Sequence, residues 1–103
     1  MKTTEIMTKD EKSLLLYLET CAVDQTGRID QRRMNDLDRS IAERWADEGF
    51  IKYGRIACHD INSTLTHWCV LSSEAWMLAG ALRQQRALRT QQNRKWRTTE
   101  EVR

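Results

Sequence analysis

The apolar residues of this 103-residue chain change their period twice, at Gly49 and at Ser72, and those two changes confine the fold to a few arrangements. Ahead of Gly49 they recur at helical steps: Leu14, Leu15, Leu18, Cys21 and Ala22, then Leu37, Ile41 and Trp45 with Ala42 and Ala46 beside them. Beyond it the chain reads as strand in two pieces, Phe50 to Ile61 and Thr66 to Leu71, parted by the polar turn Asn62-Ser63-Thr64, so a hairpin is expected. Ser72 or Ser73 then caps a helix in which Ala75, Trp76, Ala79 and Leu82 restore the helical step as far as Arg89. A chain this short builds one core. Helices on either side of a hairpin make it an α+β domain.

Local signals set the boundaries. Thr8 and Glu11 have the spacing of a capping box, which starts the first helix and leaves residues 1–7 as a loose tail. Its expected wet face carries Lys9, Lys12, Ser13, Leu16, Glu19 and Thr20, with Leu16 as the outlier. Asp24 and Gly27 bring turn chemistry and Ile29 one buried-type residue. Asp30 caps a brief helix over Gln31 to Met34, and Asn35 or Asp36 caps the next, a pair that reads as a helix-turn-helix. Gly49 ends the second helix, and a Schellman arrangement there lays Phe50 back near Trp45. The expected domain spans residues 8–90, followed by a basic tail or frayed helix over 91–103.

Helix, short strand, two short helices, hairpin and helix is the order of a winged helix-turn-helix: helices with a two- to three-stranded β-hairpin wing and a C-terminal helix. The run from Ile41 to Ile51, with Gly49-Phe50-Ile51 at its end, resembles the close of the recognition helix and first wing strand in MarR-type regulators, "L-x-x-x-G-L-I". The run from Trp68 to Ala79 is similar to that family's "V-x-L-T-x-x-G" passage out of the wing. The resemblance covers residues 37–80. It departs at Ala75, where the family commonly has glycine, and in the lack of a long N-terminal dimerisation helix. In size the chain also resembles small phage-type winged-helix proteins, some of which act on host proteins. What the resemblance implies is a DNA-binding regulator of transcription.

Charge placement divides the candidate functions. The total is +2, but residues 36–48 set two arginines against five carboxylates, net −3, while residues 83–103 set seven cations against two glutamates, net +5. Carboxylates on a would-be recognition helix repel phosphates and add no counterion release. A double-stranded DNA partner would therefore rest on phosphate contacts from Arg28, Arg32, Arg33, Arg39 and the wing residues Lys52 and Arg55, supported by Arg83, Arg86 and Arg89. The alternative is an adaptor or inhibitor that meets a protein partner with Asp36, Asp38, Glu43 and Asp47, together with Trp68, which shares an outward strand face with Val70. Trp45 and Trp76 are expected in the core, and the last helix is a candidate homodimer surface.

Other chemistry has little support. If the hairpin turn centres on residues 63–64, Cys58 opposes Cys69 and Asp60 opposes His67 on one face; the spacing matches no standard zinc motif, so buried thiols and an Asp60–His67 pair are expected instead of a metal. No nucleophile elbow, Walker loop or distinctive carboxylate pair suggests an enzyme or a cofactor. The longest apolar run, Leu14 to Leu18, is far below the ~20 residues of a membrane span. With no secretory segment and an odd three cysteines, a reducing, cytoplasmic setting is expected.

Overall fold

Two capping boxes start the first two helices and a left-handed glycine ends the second. The computed structural model describes residues 2–57 and 64–94. They form α1 (Lys9–Asp24), β1 (Arg28–Ile29), a 3-10 turn (Gln31–Arg33), α2 (Asp36–Glu48), β2 (Ile51–Arg55), β3 (His67–Leu71) and α3 (Ser73–Arg94). The strands make one antiparallel sheet in the order β1-β3-β2. This α+β arrangement is broadly consistent with a winged-helix-like fold. The order departs from that pattern ahead of α2, where a single 3-10 turn stands in place of a first helix.

At the start of α1 the Glu11 amide donates to Thr8 Oγ1 at 3.1 Å and the Thr8 amide donates to the Glu11 carboxylate at 2.8 Å. Asn35 and Asp38 repeat the exchange at α2, at 2.7 and 3.2 Å. Gly49 takes φ +80° and the Phe50 amide returns to the Trp45 carbonyl at 3.0 Å, as a Schellman end requires. The Phe50 ring then meets Trp45 edge-on, with centroids 5.1 Å apart. Trp45, Leu15, Leu18, Ile29 and Ile51 are the largest fully buried side chains.

Several expectations need correction. Leu16 and Glu19, placed on the wet face of α1, are buried because α3 packs there: the Arg83 guanidinium pairs with Glu19 and donates to Thr20 Oγ1 at 2.8 Å. Leu37 is 50 % exposed and Trp76 40 % exposed. Successive four-residue steps drift ~40° around a helix, so Leu37 leaves the stripe centred on Ile41, Ala42 and Trp45. Trp76 lies ~100° from Ala75, which with Ala79 and Leu82 forms the buried stripe of α3. Residues 2–7 are held to the body: Met7 is buried, and Lys2 pairs with Glu48 at 2.5 Å while its amide donates to Glu74 at 3.1 Å. α3 runs to Arg94, within the helical alternative expected for the start of residues 91–103.

The hairpin register is also corrected. Arg55 pairs with His67 and Tyr53 with Cys69, which a turn centred on residues 63–64 does not allow. Cys69 and His67 therefore face Tyr53 and Arg55, and the expected partners Cys58 and Asp60 lie outside the described residues. No helix of the described residues is long and apolar enough to cross a membrane.

Thr26 (φ +53°) and Gly27 (φ +87°) turn the chain into β1, with the Arg28 amide donating to the Gln25 carbonyl at 3.0 Å. A Cβ on Gly27 would stand 2.7 Å from the Cys69 carbonyl oxygen, a backbone atom that cannot step aside. Gly27→Ala is therefore expected to lower stability by about 2 kcal/mol or more, read as a fall in the urea midpoint; an unchanged midpoint would contradict this packing.

Candidate functional site

The inward face of the sheet runs from core to cleft. Side chains alternate along a strand, so Ile51 and Leu71, then Tyr53 and Cys69, then Arg55, His67 and Ile29 share that face in three successive rows. The first row is buried. In the third, Arg55 and His67 reach the open end of the sheet. Gln31 and Arg32 of the 3-10 turn, Arg39 of α2, and Thr64 and Thr66 ahead of β3 join them around a cleft of about 400 Å³. The Gln31 amide contacts the Tyr53 hydroxyl at 3.5 Å, the Tyr53 ring stacks on His67 with centroids 5.6 Å apart, and Thr66 Oγ1 lies 2.8 Å from His67 Nδ1.

A second cleft of about 380 Å³ shares Thr64 and brings in Arg28, Arg33, Tyr17 and Cys21. Five arginines from four elements thus flank residues 64–66. Two are balanced internally: Arg32 forks onto Asp30 at 3.1 and 3.2 Å, and Arg39 pairs with Asp36 at 2.5 Å. Arg28, Arg33 and Arg55 have no ion-pair partner among the described residues. No family model, curated protein or solved structure matches the chain.

Titration follows from this field. Burial, then the charges of Arg55 and Arg39, hold His67 below the usual histidine range, so the imidazole is neutral at pH 7. Burial pushes the Cys21 and Tyr17 groups up and the Cys69 thiol up to about 12, leaving neutral groups behind the arginines. Because an unfolded chain protonates its histidine more readily than the folded protein protonates His67, the His67 contribution is complete above the unfolded value and shrinks as the pH falls below about 6.5. His67→Asn is expected to reduce the loss of urea midpoint between about pH 7.5 and pH 5.5, and an identical loss in both proteins would contradict this placement.

The other candidate residues fall elsewhere. Lys52 lies on the outward sheet face, on the same side as Trp68 and Val70. Arg83 is held by Glu19, while Arg86 and Arg89 stand beside Lys9 and Lys12 in a separate cleft between α1 and α3. On α2, Asp36, Leu37, Ser40, Glu43 and Asp47 face solvent, and Arg44 turns to Glu11. Sequence reasoning missed Gln31, Thr64, Thr66 and His67 as cleft residues. The extended run around Thr66 to Leu71 carries the only signal, and it does not say which side chains close against the 3-10 turn.

Proposed function

We propose that this chain is a small winged-helix-type regulatory protein, a binding protein and not an enzyme, that holds double-stranded DNA through its phosphates. The observation that carries the reading is the gathering of Arg28, Arg32, Arg33, Arg39 and Arg55 around residues 64–66, with three of them free of internal ion pairs among the described residues. Guanidinium forks suit phosphate oxygens, and Thr64, Thr66 and Gln31 add neutral hydrogen-bonding groups at the same place. The acidic outward face of α2 is not suited to lie against the phosphate walls of a major groove. Contact by the 3-10 turn and the wing, with little reading of bases, follows.

Two labelled duplexes of unrelated sequence are expected to bind within about threefold of each other, since phosphate contacts carry no sequence information. A difference of about a hundredfold or more would contradict the reading, because base readout separates specific from non-specific sites by that much. A second reading rests on the exposed Asp36, Leu37, Glu43 and Asp47 of α2, an acidic and partly apolar face suited to a basic protein partner. Glu43→Lys together with Asp47→Lys separates the two: duplex binding is unchanged or tighter under the first reading, and a protein partner is lost under the second.

A further inference from the structure

The outward face of the sheet holds a second arrangement, which borders the second arginine cleft at Arg28. Arg28, Trp68 and Gly54 form one row across β1, β3 and β2, and Val70 and Lys52 form the next. The Trp68 indole lies against Gly54: a Cβ there would stand 2.9 Å from Trp68 Cζ2 and 3.2 Å from Nε1. Glycine at position 54 thus lets the ring lie down on β2, leaving Trp68 37 % and Val70 53 % exposed. In the backbone register Arg28 is the direct cross-strand neighbour of Trp68, roughly 5 Å away between Cα atoms, and Lys52 its diagonal neighbour, roughly 7–8 Å away. Neither cation has an ion-pair partner, and neither stacks on the indole, among the described residues.

An indole laid on Gly54, with two unbalanced cations at neighbouring positions of the same sheet face, fits a ligand that joins a flat ring to negative charges. An acidic peptide supplies the charges without a ring at each step. A single-stranded nucleic acid supplies both, base on indole and phosphate on guanidinium and ammonium. We propose that this face binds single-stranded nucleic acid by stacking an unpaired base on Trp68, with Arg28 and Lys52 holding the adjoining phosphates. The proposal shares Arg28 with the duplex reading, whose other arginines lie at the inward face and open end of the sheet, but its base-stacking part rests on Trp68 alone and is read separately.

The test compares the wild-type full chain with labelled oligothymidylate of about twelve nucleotides and with an abasic phosphodiester of equal length. Oligothymidylate is expected to bind about 10- to 100-fold more tightly than the abasic chain, Trp68→Ala to remove that advantage while leaving abasic and duplex affinity unchanged, and Trp68→Phe to keep most of it. Equal affinity for the two oligomers overturns the proposal, and because that comparison uses the wild type it holds even if Trp68→Ala fails to fold. Tighter binding of a polyglutamate peptide than of oligothymidylate assigns the face to a protein and also overturns it. Binding of oligothymidylate with the base-dependent advantage but no binding of duplex supports this proposal and removes the duplex reading alone.

Discussion

Alanine at Arg33 and Arg55 together is expected to weaken duplex binding about 100-fold and to flatten its salt dependence by about two units of log–log slope. Each guanidinium lost removes a charged hydrogen bond of about 1.5 kcal/mol or more, roughly tenfold in affinity. Each also removes one counterion-releasing contact, about 0.9 in slope. These two arginines are the informative pair because neither has an ion-pair partner among the described residues, so their removal strands no internal carboxylate. Arg32→Ala and Arg39→Ala should cost less binding, since Asp30 and Asp36 already share those charges. Arg83→Ala should act on stability instead, because it leaves the buried Glu19 without its partner. Fluorescence anisotropy across a salt series reads the binding of all four variants. An unchanged slope in the double variant would show that the clefts do not meet phosphate.

Trp45→Ala is expected to cost about 3–5 kcal/mol, a large share of the roughly 5–15 kcal/mol that holds a typical domain folded. Trp45 is fully buried and packs T-shaped against Phe50, so its removal opens a cavity between α2 and the start of β2. Its Nε1 is buried with no hydrogen-bond partner among the described residues. Trp45→Phe should therefore be much milder, because discarding an unsatisfied donor returns about 1–3 kcal/mol against the lost volume. Urea unfolding followed by circular dichroism gives both values. A loss below about 1 kcal/mol for alanine would contradict the placement of this ring in the core.

What is legible in the sequence is what neighbouring residues decide. Thr8 with Glu11 and Gly49 with Phe50 each announce a helix end whose bonding partners lie within five positions, and the structure has both. Asn35 is one of two candidate caps in the sequence, and the structure selects it through its exchange with Asp38. Side-chain alternation places Trp68 and Val70 outward, as the structure has them. Failures come where a distant element intervenes. Leu16 and Glu19 look wet until α3 covers them, and Leu37 looks buried until the drift of its stripe is counted. The hairpin register fails because Asn62-Ser63-Thr64 is turn-like wherever the turn lies, and a change of pairing gives His67 Arg55 as its partner instead of Asp60. The candidate site is half visible: its arginines stand out one by one, but their meeting at Thr64 depends on tertiary packing.

The central claim is that the arginine-flanked end of the sheet meets DNA phosphates, and a salt titration of the wild-type protein tests it most directly. With a random-sequence duplex between about 50 and 200 mM salt, affinity should fall along a log–log slope of about −3 to −5, the signature of a handful of phosphate contacts. Undetectable binding at the lower salt, or an affinity that does not change across the range, would contradict it.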